Sequence, residues 1–181
     1  MVTVDPVVAW IVRAAIAVLL VGAAWPKLRD RAEFAGTVEN YRILPAALVP
    51  AIALVLPLIE LGLGLAVLAF RPALLGAAAL LALYAGVVSV NLARGRDHID
   101  CGCHFMGQSG GAIDRVMVAR NLIIAAAAVI VGIAAVSSRM VTAVDVLSIA
   151  GTLAIAGILY AAIEQARINH SRALQTAHRG A

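Results

Sequence analysis

Charge is what this chain has least of. Asp, Glu, Lys and Arg make up 13% of its 181 residues, about half the roughly 25% usual in soluble domains. Aromatic residues are also scarce, at 4%, and no run of basic residues is interleaved with them. The formal charge of +4 therefore does not describe a nucleic-acid surface, and no nucleic-acid partner is expected. Two cysteines are too few for a disulfide scaffold, so their use is reactive or ligating. No phosphate-binding loop, dinucleotide fingerprint, HExxH helix or nucleophile elbow occurs, which removes the sequence basis for kinase, dehydrogenase, metalloprotease or serine-hydrolase chemistry.

What remains is hydrophobic: 63% of the residues are apolar and the mean hydropathy is +0.99. Crossing the hydrocarbon of a bilayer takes roughly 20 helical residues, and five stretches reach that length: Val7–Trp25, Ala46–Phe70, Pro72–Ala93, Val116–Val136 and Ala143–Ile163. They lack the alternation of barrel strands, so backbone groups in lipid are satisfied by helices. The expected fold is an all-α integral membrane protein. It is a compact bundle of about five transmembrane helices spanning 1–163, followed by a basic tail over 164–181 that frays from a surface helix. The first stretch reads as a retained anchor, because Met1–Pro6 carries no basic residue and Arg13 interrupts the apolar run.

The connections refine this picture. Pro26 is expected to end the first span, with Lys27 to Arg31 at the interface and Trp10 and Trp25 as belt residues. Ala32–Leu44 suits a short interfacial helix, with Tyr41 as an anchor. Arg71-Pro72 makes a tight turn, and Gly62, Gly64 and Gly76 allow close helix approach. Asp114 caps the fourth span. Lys27, Arg29, Arg31, Arg42, Arg94, Arg96, Arg115, Arg120, Arg167, Arg172 and Arg179 all fall on one side of a five-span arrangement. The positive-inside rule then puts the C-terminus and the 95–114 loop in the cytoplasm of a cell (plasma or inner) membrane.

That loop holds Asp100-Cys101-Gly102-Cys103-His104. Thiols react as thiolates, favoured by nearby cations or a helix N-terminus; Arg94, Arg96, His98 and His104 supply the first, the fourth span the second. A disulfide across one residue closes a small, reducible ring, and Gly102 is best able to relax it. This suits passing oxidising equivalents. The same residues support another reading: His98, Cys101, Cys103 and His104 as ligands of a soft ion, copper or zinc, in a metal-binding or transport protein. The one-residue gap fits zinc poorly and Cu(I) better. A third reading is a non-catalytic assembly partner with dispensable cysteines.

Glu60 is the second candidate, three residues after Pro57 inside an apolar span. An ionisable group at that depth marks a proton, quinone-contact or register-fixing role, and Arg13 is its expected partner. Asn91, Arg120 and Asn121 are expected to form a polar floor beneath the loop.

Taken in order, Lys27-Leu28, Tyr41 with Leu44-Pro45, Pro57 with Glu60, Asn91-Leu92-Ala93-Arg94-Gly95, Cys101-Gly102-Cys103 and Arg120-Asn121 resemble the MauE family of methylamine utilisation proteins, within the broader DoxX-like membrane proteins. The resemblance covers about residues 7–136 and implies a four-helix core, here followed by a C-terminal helix. It further implies a thiol–disulfide redox or maturation factor, possessing no certain cofactor and with a quinone as candidate acceptor. Its partner would be a thioredoxin-like protein or an exported client, in the methylamine system the disulfide-rich small subunit of the dehydrogenase. Cys101 and Cys103 would cycle, with Arg94, His104, Glu60 and Arg120 completing the site. Family members follow Cys-Gly-Cys with Phe-Gly, whereas His104 stands here before Phe105. An exported client and a cytoplasmic loop also conflict: either the charge rule misleads, or electrons cross the bundle through a quinone or a second protein.

Overall fold

Asp5 starts the first helix by accepting from the Val7 amide at 2.8 Å, and Pro6 takes the first helical position, where a missing N–H costs nothing. In the computed structural model, which describes residues 3–96 and 113–179, this helix, α1, runs over Pro6–Arg29. A two-residue strand, β1 (Thr3–Val4), precedes it. After α1 come α2 (Arg31–Asn40), a single 3-10 turn (Ala46–Leu48), α3 (Val49–Ala69) and α4 (Ala73–Ala93). Beyond the undescribed segment follow α5 (Arg115–Ile133), β2 (Ala135–Val136) and α6 (Ala143–Arg179).

Five of these stretches, including Ala143–Ile163 of α6, are long and apolar enough to cross a membrane. The chain is an all-α, multi-pass membrane protein, as its composition demands; the two short strands are the one β element among the described residues. The chain forms two compact units, through Ser138 and from Arg139 onward. The second consists of α6 and the turn before it, in which Asp145 accepts from Arg139 at 2.8 Å and from the Thr142 amide at 2.8 Å.

In the first unit α1 packs on α3 and α4 on α5, and the two pairs close through α3–α4 and α1–α5 contacts. Small residues set the closest approaches. A Cβ at Gly64 would stand 2.9 Å from Val21 Cγ2 and 3.3 Å from the Val21 amide nitrogen. One at Gly76 would meet Leu63 Cδ2 at 2.9 Å. Gly62 faces open space instead, so its expected role in helix approach is not seen. One apolar core, with Ile16, Leu20, Val67, Leu74, Ala128 and Val131, fills the end nearest the 70–72 turn. A smaller cluster of Tyr41, Val88, Ile113 and Met117 sits at the opposite end. Large apolar side chains such as Leu65, Phe70, Ile123 and Ile133 point outward, as lipid rather than water requires.

Two expectations about α1 need correction. The helix continues through Pro26 for another turn, because the lost proline N–H costs one bond while its own carbonyl still accepts from Asp30 at 2.9 Å. Lys27 is thereby turned inward and is 4% exposed, not interfacial. Tyr41 is likewise buried in the smaller core instead of anchoring in headgroups. At the other end of α1, Arg13 donates through Nε to the Val67 carbonyl at 2.7 Å and through Nη2 to Leu68, with its guanidinium 4.2 Å from the Trp10 ring centroid. These carbonyls belong to the last turn of α3, where no intrahelical partner exists and a cation is favoured.

Candidate functional site

Glu60 is fully buried, and its partner is Lys27, not Arg13. α1 and α3 run antiparallel, so the beginning of α1 reaches the end of α3 while its last turns lie beside the middle. Lys27 Nζ stands 2.5 Å from Glu60 Oε1. The Tyr84 hydroxyl of α4 donates to the same oxygen at 2.5 Å and lies 3.5 Å from Nζ. Glu60 Oε2 has no hydrogen-bond partner among the described residues. Glu60 and Tyr84 each fall near the centre of their helices, about 15 Å from either end at about 1.5 Å per residue. A charge pair, satisfied on one oxygen only, thus sits at bilayer mid-depth, where ionisable groups are costly and functional.

Lys27 was missed as a site residue, although the sequence carried a signal for it: it is the single lysine among fourteen basic residues. Arginine presents a planar fork of donors, whereas lysine is a compact point charge on a flexible stem that can reach a single carboxylate oxygen. Tyr84 carried no such signal, because a lone tyrosine in an apolar run reads as core.

From this pair a cavity of ≈ 290 Å³ extends toward the smaller core. Phe34, Thr37 and Tyr41 from α2 and its end, Leu56 from α3, Tyr84 and Val88 from α4, and Met117 and Asn121 from α5 line it, together with Lys27. Lys27 Nζ lies 5.1 Å from both the Phe34 and Tyr84 ring centroids. The walls are almost wholly apolar, and polarity is confined to a few groups, as in ligand sites generally.

Part of the cavity wall, Tyr41, Val88 and Met117, packs against Ile113, a described flank of the cysteine loop. Arg94 Nη1 donates to the Arg42 carbonyl at 3.4 Å and Arg96 Nη1 to the Asn40 carbonyl at 3.5 Å, so the end of α4 clasps the turn after α2. Arg42 sits in that turn with φ +47°, a left-handed backbone that side chains rarely adopt. Asp114 caps α5 as expected, accepting from the Met117 amide at 2.8 Å.

The loop above the expected polar floor lies outside the described residues, and only the surroundings of the floor residues themselves are seen. Asn91 and Asn121 are buried, and Asn91 Nδ2 donates to the Val87 carbonyl at 3.1 Å. Arg120 is half-buried on α5. Cys101, Cys103, His98 and His104 lie outside the described residues, and with them both the redox and the metal reading of the loop.

Residues 5–136 match the family model described as methylamine utilisation protein MauE. Curated relatives agree. A methylamine utilization protein MauE of Paracoccus denitrificans is 41% identical over 128 residues, covering 69% of this chain and 68% of that protein. Its counterpart in Methylophilus methylotrophus is 46% identical over 102 residues, covering 55% and 54%. That of Methylorubrum extorquens is 42% identical over 127 residues, covering 68% of each. No solved structure matches.

Proposed function

The chain belongs to the MauE family of methylamine utilisation proteins, and we propose that it is a thiol–disulfide maturation factor of the cell membrane, with Cys101 and Cys103 as its working pair. One observation carries this reading. The two cysteines of the whole chain stand one glycine apart in the longest polar connection between its apolar spans. Closing the pair forms one S–S bond, breaks two S–H bonds and releases two protons and two electrons; opening it by a client's dithiol is the reverse. Positive potential at this end favours the thiolate that must attack. It comes from Arg94, Arg96 and Arg115 and from the N-terminus of α5. His98 and His104 add to it when protonated. The client would be an exported, disulfide-bearing protein needed for growth on methylamine, met directly or through a thioredoxin-like partner. The basic residues favour a cytoplasmic loop, and transfer to an exported client would then cross the bundle.

Thiol trapping in native membranes tests this. The expected result is a reversible oxidised form that shifts when a thioredoxin-like partner is withdrawn, and loss of methylamine-dependent growth in Cys101→Ser and Cys103→Ser. A membrane-impermeant maleimide applied to intact cells reads the side of the loop. Permanently reduced thiols holding stoichiometric copper or zinc, or serine variants that support full growth, would overturn the proposal.

A further inference from the structure

The cavity beside Lys27 combines three properties that select a ligand. It lies inside the apolar bundle, so its occupant partitions into the bilayer. Its walls include the rings of Phe34, Tyr41 and Tyr84, which favour a flat ring over a flexible chain. Its inner end carries one cation among the described residues, Lys27, and that cation is under-used. An ammonium has three protons, whereas Lys27 Nζ finds two hydrogen-bond acceptors among the described residues, Glu60 Oε1 and the Tyr84 hydroxyl. At ≈ 290 Å³ the space is at the low end of the roughly 300–1,000 Å³ of ligand pockets, enough for a substituted six-membered ring and the start of a chain.

We propose that this cavity binds the head group of a membrane quinone, one carbonyl oxygen of which accepts from Lys27. A phospholipid acyl chain would fill the apolar part equally well but offers nothing to the ammonium, whereas a quinone uses both ends of the site. For its redox role the inference rests on the thiol–disulfide reading: as a dithiol closes to a disulfide, two electrons and two protons pass to the quinone, which leaves as quinol. Tyr84 and Lys27, sharing Glu60 Oε1, are the proton-bearing groups at the ring, and Glu60 Oε2 is an open acceptor behind them. Binding itself needs no cysteine.

Full-length protein in phospholipid nanodiscs, titrated with decylubiquinone and with decylbenzene, separates these ideas. Saturable quinone binding is expected, abolished by Val87→Trp, since Val87 of α4 also lines the cavity and the larger ring would fill it. A Lys27→Met/Glu60→Leu double variant, which removes the donor without leaving a lone buried charge, is expected to bind quinone about tenfold or more weakly, the worth of a charge-assisted hydrogen bond. Its decylbenzene binding should not change. Equal affinity for both probes in wild type, or wild-type quinone affinity in Val87→Trp, would overturn the site. Cys101→Ser/Cys103→Ser is expected to keep binding and lose quinol formation. If reduced wild-type protein binds quinone yet forms no quinol, the site stands and the thiol reading falls.

Discussion

At the scale of single residues, the energetics centre on Lys27 and Glu60. Removing one member of a buried pair leaves an uncompensated charge and costs about 3–5 kcal/mol, whereas replacing both with apolar groups is often neutral. Lys27→Met and Glu60→Leu should therefore each lower the thermal unfolding midpoint in detergent sharply, and the double variant should recover most of the loss. Additive losses would mean that the two side chains do not act as a pair. Tyr84, which donates to the same oxygen, should matter less. Tyr84→Phe removes its hydrogen bond to the carboxylate and the long 3.5 Å one from Lys27, but leaves the charge pair in place, a loss of about 1.5–3 kcal/mol dominated by the shorter bond. Glu60 was legible in the sequence because an acid inside an apolar span stands out. Its partner was not, because pairing depends on helix register. Arg13 and Lys27 both lie on α1, and only the packing shows that the first caps α3 while the second reaches its middle.

At the scale of elements, the α1–α3 contact depends on Gly64. Gly64→Ala would press a Cβ against Val21, an overpacking that costs typically 1–3 kcal/mol. Gly62→Ala points into open space and should be neutral or stabilising, since alanine exceeds glycine in helix propensity by about 1 kcal/mol. Thermal melts of the two variants give the comparison, and equal losses would refute the assigned packing face. Spacing alone could not separate these glycines, two residues apart on one helix, because it does not say which face meets a neighbour. The spans themselves were readable, since twenty apolar residues in lipid have one common solution. The boundaries moved at Pro26 and near Ile133 for local reasons: a proline close to a helix end is cheap, and Ala135-Val136 leave the helix to pair as a strand.

At the scale of the whole molecule, the first unit carries its own two cores, its ion pair and its cavity. Its limit at Ser138 nearly coincides with the end of the family match at residue 136. A chain stopped after Ser138 should insert in membranes and unfold within a few degrees of the intact protein; failure to accumulate would show that α6 is needed for folding. The architecture was legible from hydropathy, whereas the cavity was not: its lining comes from five helices, and no stretch of sequence holds more than part of it. The pairing of Thr3 with Ala135 and Val4 with Val136 has a biosynthetic corollary. This clasp can fasten only after α5 has left the insertion machinery, so Thr3 and Val4 must wait for nearly the last residues of the unit. Shortening the extended segment before α1 should therefore leave each helix able to insert, yet allow the finished ring to come undone at its seam.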